Sequence, residues 1–476
     1  MSQASRPAIV IIGGGLAGVL AAIKIIDATA TPLDIAIVES RAELGRGIAY
    51  STPDPDHLVN GPARVFSLHA DRPEHLTQWV LANAGRRGWA PDEGAPPGDA
   101  FLPRILYGDY VQDELARALR DGEGRVRFQH VRDTAVDLAP ARLGYAVHLA
   151  SGAALAADQV VLATGLHAAE RGIRIGARLR DSGRYVGDVW RDGAFAGAER
   201  DGEILLLGTS LTTLDALISL EKQGFRGTYV AISRRGQLVN RRREVEPWAN
   251  FLDAAALPRR IGDLLRLVQR ERRAVAAAGE DWQRLTPVLK QHLIGLWAGA
   301  SDAERRRFVR HLRVFWDVSL HRAAPGSIAF LEQVQAQGRF RQVAGTVTDL
   351  AAAPDGRVDV VVRPRGASAP QTLTVDRVVN GLGHDFDWRR IAHPLVRNAV
   401  ARDLVRPHPT GYGIAADAAS GAVLDAAGRA SQSLFAIGHP LRGASWESSA
   451  IGEQVLGATR LGETFAKLHA ARRDVA

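Results

Sequence analysis

The sequence predicts an α/β protein made of two Rossmann-like dinucleotide-binding domains with a helical insertion, and three observations carry that prediction. An apolar run from Pro7 breaks at Gly13-Gly14-Gly15 and resumes as an Ala-rich stretch, which reads as strand, glycine turn and buried helix. A second run, Ile204-Leu205-Leu206-Leu207, also ends in glycine, at Gly208. Finally, Asp158-Gln-Val-Val-Leu-Ala-Thr-Gly165 is echoed by Asp376-Arg-Val-Val-Asn-Gly-Leu-Gly383, as expected of two related half-structures, one split by the other. At 476 residues the chain is also too long for a single core.

Taken in order, Pro7 to Gly18 reads as a buried strand and its turn, Leu16 to Ala28 as the helix behind it, and Asp34 to Glu39 as the next strand. Polar and Pro/Gly-rich sequence runs on to about Asp99, with Gly94-Ala95-Pro96-Pro97-Gly98 as a loop. Strand-like pieces follow at Val126–Phe128, Tyr145–Leu149 and Gln159–Gly165. The second strand–turn–helix begins at Glu203, and its partner strand is Thr228 to Ser233. From about Pro258 to Gln337 apolar residues recur at helical spacing, in stripes such as Ile261, Leu264, Leu265 and Val268. Strands return at Gln342–Val347, Val358–Val362 and Leu373–Val379, and a long helix runs from about Ser449 to Ala470. The expected division is 1–170 and 371–476 for the first domain, 200–250 and 336–370 for the second, and 251–335 for the helical insertion.

Composition narrows the chemistry. There is no cysteine, which excludes disulfides, Cys-ligated metal, iron–sulfur clusters and a redox-active dithiol. The net charge of +8 is almost wholly arginine, Lys24, Lys222, Lys290 and Lys467 being the only lysines. The clusters Arg241–Arg243 and Arg305–Arg307 are short with acids close by, so they read as solvated faces and no nucleic-acid partner is expected. The apolar run from Ile9 to Ile26 is cut by three glycines, so neither a signal peptide nor a membrane span is expected, and the protein is read as cytoplasmic. His311 and His321 have no metal-site spacing, and no metal is expected.

Gly13-Gly14-Gly15-Leu16-Ala17-Gly18 is a G-x-G-x-x-G motif in the context that gives it meaning, between a buried strand and a helix. Gly13 makes the turn, Gly15 admits a pyrophosphate to the backbone, and Gly18 lets the helix pack close to the strand. The helix N-terminus offers unpaired N–H groups to the phosphates. Glu39, ending the next strand, suits adenosine ribose hydroxyls and disfavours a 2′-phosphate, so this site takes FAD or NAD. FAD is favoured by the turn at Gly165, the strand ending at Gly438, and Ser448-Ser449 as an N-cap before the last helix, whose dipole would face the flavin.

The second motif, Gly208-Thr209-Ser210-Leu211-Thr212-Thr213, keeps only its first glycine, with Ser210 and Thr213 in place of the others. Arg234 follows Thr213 at the same interval as Glu39 follows Gly18, so guanidinium groups of Arg234 and Arg235 stand where the first unit has an acid. That pattern suits the 2′-phosphate of NADPH.

Together with Leu44–Tyr50, His57–Asn60, Pro103-Arg104, Tyr107-Gly108, Tyr110, Trp316, His321-Arg322 and Trp446-Glu447, these motifs resemble the bacterial FAD/NAD(P)-binding oxidoreductase family. Its relatives include flavin-dependent N-hydroxylating monooxygenases. The resemblance implies FAD and NADPH as cofactors, molecular oxygen and a small amine or amino acid as reactants, and oxygenation through a flavin C4a-hydroperoxide. It adds Arg46 and Gly47 to the cofactor-binding residues and points to Asn60, Arg104 and Glu447 beside the flavin. Asn60 would bond the flavin edge or the peroxide, or serve the turn before Gly61-Pro62; Arg104 would hold a phosphate or substrate carboxylate, or pair with a loop acid; Glu447 would bind a substrate amine, or favour the N-terminus of the last helix. The D-x-x-x-L-A-T-G motif of N-hydroxylating enzymes fits Asp158–Gly165, though before the nicotinamide domain and followed by Leu166 rather than tyrosine. The F-x-G-x-x-x-H fingerprint of Baeyer–Villiger enzymes is replaced by Arg184-Tyr-Val-Gly-Asp-Val-Trp190. Two other readings remain open: electron transfer to an acceptor without oxygen insertion, and a non-catalytic flavin- or nucleotide-binding protein.

Overall fold

The first parallel strand and its helix form because the chain offers Ala8–Ile12 without a polar side chain, then glycines that admit the turn. The computed structural model describes residues 6–170 and 172–473; the expected domain ends at 1–5 and 474–476 lie outside the described residues. In chain order the first unit contains β1 (Ala8–Ile12), α1 (Leu16–Ala28), β2 (Leu33–Val38), α2 (His75–Asn83), α3 (Arg104–Asp121) and β3 (Val126–Val131). An antiparallel ribbon of β4 (Ala135–Pro140), β5 (Tyr145–Leu149) and β6 (Ala154–Ala157) leads into β7 (Gln159–Leu162).

The second unit opens with β8 (Arg174–Ile175), α4 (Ala177–Asp181), β9 (Tyr185–Val186), β10 (Glu203–Leu207), α5 (Leu211–Lys222) and β11 (Thr228–Ser233). Six helices follow: α6 (Ile261–Ala277), α7 (Leu285–Gln291), α8 (Leu293–Gly299), α9 (Asp302–His311), α10 (Arg313–Leu320) and α11 (Pro325–Ala336). It ends with β12 (Phe340–Ala352), β13 (Val358–Pro364), β14 (Gln371–Val375) and β15 (Arg377–Asn380). The chain then returns to the first unit through α12 (Pro394–Ala401), β16 (Ala422–Leu424), β17 (Ala430–Ala436) and α13 (Ile451–Arg473).

Two sheets result. The first has strand order β16-β17-β7-β1-β2-β3; the second runs β14-β13-β12-β11-β10-β15-β9, with β8 beside β12. The expected boundary at 371 is therefore wrong: β14 and β15 pair with β13 and β10, which keeps the chain in the second unit to Asn380. β8 and β9, between the expected domains, also join the second sheet. The insertion is not wholly separate either, because Ile328, Leu331 and Val334 of α11 pack into the core of the second unit with Ala216, Ile218 and Leu220 of α5. Among the described residues, no helix is long and apolar enough to cross a membrane.

The repeated Asp…Gly segments now have a physical role. The Asp158 carboxylate accepts the Ala8 N–H at 2.9 Å, and Asp376 accepts those of Gly202 and Glu203 at 2.8 and 2.7 Å. Each aspartate thus ties the start of the central strand to its neighbour, β7 beside β1 and β15 beside β10. At the other end, Gly13 (φ +106°) and Gly208 (φ +108°) make the same turn, and a Cβ on either would meet the carbonyl of Ala163 or Gly381 at 2.2 or 2.4 Å.

The lost third glycine is compensated. A Cβ at Gly18 would lie 1.9 Å from the Gly13 carbonyl, whereas the second unit carries Thr213 at that place. Opposite it the first unit has Ala163 and the second has Gly381, and a Cβ on Gly381 would fall 2.3 Å from the Thr213 Oγ1. The small residue has moved from the helix to the facing strand end.

Candidate functional site

The first cradle is lined by backbone. α1 starts from Gly15 with no side-chain cap, so its first N–H groups remain available to a ligand. Gly15 faces Gly47, whose Cα would lie 3.5 Å from a Cβ at Gly15, and Gly47 itself has φ +52°. Glu39 accepts the Gly14 N–H at 2.9 Å and the Arg41 N–H at 3.0 Å, which fixes a carboxylate at the end of β2. Gly165 has φ +69° with open space where a side chain would stand. From the far end of the chain, Gly438 (φ +72°) comes against Ala17 of α1. These residues fit a dinucleotide: pyrophosphate against the helix N-terminus and ribose against Glu39.

Two expected details differ. The Arg46 guanidinium does not face the groove freely; it bonds Glu43 (2.6 Å), Asp109 (2.5 Å) and the Ile105 carbonyl (2.8 Å), which anchors the glycine loop to α3. Ser448 does not cap α13, because its hydroxyl donates to the Gly438 carbonyl at 2.8 Å.

The second cradle repeats the plan with polar side chains. Ser210 sits at the N-cap of α5, exposed and making no cap bond. Thr209 donates its hydroxyl to the Gln237 carbonyl (2.5 Å) and accepts that of Ser233 (3.0 Å), which closes the turn onto the end of β11. Register corrects the equal spacing read from sequence. Ile12 pairs with Val38 and Leu207 with Ile232, so Ser233, not Arg234, stands at the place of Glu39. Arg234 and Arg235 follow immediately. Both line a cavity of about 440 Å³ shared with Gly208–Thr212 and Gly381–His384. They also border an open cleft of about 1380 Å³. Arg235 lies over the Phe315 ring at 4.8 Å, and burial, reinforced by the nearby Arg313, pushes the Arg234 pKa down. Replacing an acid with a small serine followed by two guanidinium groups makes the strand end suitable for a 2′-phosphate.

The residues expected beside the flavin separate into different roles. Half-buried Asn60 accepts Arg242 Nη1 through its backbone carbonyl at 3.1 Å. Arg104 is not open to a ligand. It holds Asp215 of α5 through two bonds of 2.5 and 2.9 Å and also donates to the Leu58 carbonyl. Asp215 further accepts Trp190 Nε1 at 3.0 Å, and its carbonyl lies 3.0 Å from His57 Nε2. This is a clasp between the two units. Glu447 is buried, and both of its oxygens are occupied by protein: Trp316 Nε1 donates at 2.8 Å, and His321 Nε2 lies at 3.3 Å. Burial alone would raise the Glu447 carboxyl, but the His321 charge and hydrogen bond, with Arg442, outweigh it and hold the pKa at about 2. Burial likewise works against a charged His321, yet Glu447 raises its pKa. The expected contact of Glu447 with substrate therefore gives way to a role in orienting His321.

Sequence reasoning missed Arg442 and Asp317. Arg442 lies between Gly438 and α13 and lines the 440 Å³ cavity with Asp317 and His321. Its signal was an isolated cation in a short turn, but its neighbours come from distant segments. A second missed group, His69, His75 and Glu114, has ligand-type atoms within 4.8 Å of one another. There Arg72 bonds His69 (2.7 Å), Arg117 bonds Glu114 (3.1 Å) and Tyr110 bonds His75 (2.9 Å), a closed polar network.

Two largely parallel sheets, each with a glycine turn leading into a helix that has no side-chain cap, define a two-domain dinucleotide-binding fold. Residues 10–167, within the first unit, match a family model described as FAD-NAD(P)-binding. The chain as a whole is similar in fold to an FAD-bound cadaverine monooxygenase of desferrioxamine biosynthesis from Erwinia amylovora, with 12% identity, 98% of this chain and 95% of that one covered, and a TM-score of 0.63. It is similar to L-lysine 6-monooxygenase from Pseudomonas syringae at 17% identity, with 98% and 100% covered and a TM-score of 0.59. An ornithine N-hydroxylase from Kutzneria sp. 744, with reduced FAD, NADP⁺ and L-ornithine, gives 14% identity, the same coverage and 0.58. No curated protein is matched by the sequence.

Proposed function

We propose that the chain is an FAD-dependent, NADPH-using monooxygenase that oxygenates a small amine or amino acid. The observation that carries this reading is a chain of contacts joining the two cradles. Ser448 holds Gly438 against the first, and the adjacent Glu447 holds His321, which lines the second. FAD, when bound, supplies the redox chemistry, taking hydride from NADPH and activating oxygen. The chain's own residues bind and orient. Gly13, Gly15, Gly18, Glu39, Gly47, Gly165 and Gly438 form the FAD cradle; Gly208, Ser210, Thr213, Arg234 and Arg235 form that of NADPH. Glu447 favours the protonated form of His321 and holds its ring, by a contact at 3.3 Å, at the wall of the cavity. The Arg104–Asp215 clasp fixes the two cradles relative to each other, and the tryptophan-rich insertion excludes water. The neighbours named above act on cadaverine, lysine and ornithine, which supports a small amine as substrate. The test is coupling: with a substrate from a panel of small amines, NADPH consumed should equal oxygenated product formed. Consumption matched only by hydrogen peroxide or by reduction of an added quinone would favour electron transfer without oxygen insertion.

A further inference from the structure

Arg442 is an anomaly on energetic grounds. Its side chain is 8% exposed, and its nearest carboxylate oxygen, on Asp317, is 3.9 Å away. Among the described residues its guanidinium makes no hydrogen bond, and Nε is buried without a partner. A buried guanidinium without hydrogen bonds is costly, and such a group in a native fold calls for a ligand. What surrounds it is aromatic: Phe386, Trp446 and Tyr412 rings at 4.6, 5.0 and 5.7 Å. The cage therefore holds the cation by ring faces and leaves its donors unused.

Two further observations point to the same ligand. The Trp446 Nε1–H is also buried and without a partner, on the ring that lies 5.0 Å from the Arg442 guanidinium carbon. The Tyr412, Phe386 and His439 rings form a nearly parallel column, with interplanar angles of 20° and 14° and centroid separations of 5.4 and 5.8 Å. Such a column can be extended by another flat ring. The charges around it are Arg313, paired with Asp317 at 2.5 Å, and Glu447, which lies 3.3 Å from His321 and favours the protonated form of that imidazole, so the carboxylates here have partners of their own besides Arg442. Phe386 and Tyr412 also border the 1380 Å³ cleft, which gives a route in from solvent.

We propose that Arg442 and Trp446 form a receptor for the carboxylate of a planar, monoanionic organic acid, an arene carboxylate or close equivalent, stacked against the Phe386 column. One carboxylate oxygen takes the Arg442 donors and the other the indole N–H. This site goes beyond the proposed reaction, since it concerns binding and holds whether or not oxygen is inserted.

The test uses FAD-loaded protein saturated with NADP⁺, titrated with benzoate by calorimetry and by tryptophan fluorescence. Saturable binding with Kd at or below about 1 mM is expected, with benzylamine and benzamide at least about tenfold weaker. R442Q should weaken benzoate at least about tenfold, as loss of a charged hydrogen-bond partner does. R442K keeps the positive charge but not the planar pair of guanidinium donors, and should weaken benzoate several-fold, which keeps the test decisive if R442Q folds poorly. Equal binding of benzoate and benzylamine, unchanged binding in both variants, or displacement of benzoate by NADP⁺ would overturn the assignment. NADPH reduction of the flavin is read separately, so failure of the proposed reaction is distinguishable from failure of this site.

Discussion

Substituting Gly381 by alanine should damage the second cradle, and removing Thr213 should repair it. The added Cβ would sit 2.3 Å from Thr213 Oγ1 and 2.9 Å from the Leu207 carbonyl. Relief needs a displacement of roughly 1 Å in a close-packed layer, and overpacking of this kind costs about 1–3 kcal/mol. T213G alone loses roughly 0.3–0.5 kcal/mol of helix propensity, but it also removes a hydroxyl that is buried without a partner. Its net effect should be within about 1 kcal/mol. The double variant recreates the pairing of Gly18 with Ala163 in the first unit. The Oγ1 clash disappears and the milder one with Leu207 remains, so recovery should be partial, with a coupling of about 1–2 kcal/mol. The assay is thermal melting of all four proteins at fixed FAD, each kcal/mol moving the transition by about 2–4 °C for a unit of this size. NADP⁺ affinity should follow the same order. Strictly additive effects would refute the claim that the small residue migrated from helix to strand.

Other outcomes follow from the same geometry. R234A/R235A should raise the KM for NADPH by about 10–100-fold through lost charge-assisted bonds, and that for NADH by much less; equal effects would remove the 2′-phosphate assignment. The Glu447–His321 pair should show in a pH profile of the melting temperature. Glu447 is held at about 2, below its unfolded value of about 4.3, so its stabilisation is present above the latter and lost as pH falls. His321 is raised, so its contribution is complete below about pH 6.5 and lost as pH rises through the higher folded value. The difference between wild type and H321Q should therefore be largest between about pH 4.5 and 6.5 and should shrink on either side. R104A should leave Asp215 buried without its cation and cost about 3–5 kcal/mol, whereas the R104A/D215A pair should recover part of the loss. An R104A protein as stable as wild type would show that the clasp carries no energy.

The parts legible in the sequence are those whose physics is local. β1, α1 and β2 follow from continuous apolar runs broken by Gly13–Gly15, and β10, α5 and β11 from the same pattern with one glycine left. The aspartate echo was also readable, since Asp158 and Asp376 tie strand starts in both units. What the sequence hid depends on pairing over distance. Ser233 replaced Arg234 at the place of Glu39 because the second unit reaches its partner strand one register step sooner. Arg104 read as either a ligand contact or the partner of a loop acid, and the acid it meets, Asp215, lies on a helix of the other unit, out of reach of any local window. The cage around Arg442 joins Phe386, Tyr412 and Trp446 with Asp317 of the insertion, and no window of sequence contains them all.

The central claim, an NADPH-reduced flavin that oxygenates a substrate, is tested most directly by rapid mixing. Purified FAD-loaded protein is reduced anaerobically with NADPH and mixed with oxygenated buffer while the flavin spectrum is followed. A persistent single band to the blue of oxidised flavin, decaying faster when a productive amine is present, is the predicted result. Immediate return to the oxidised spectrum, or no reduction by NADPH at all, would contradict it.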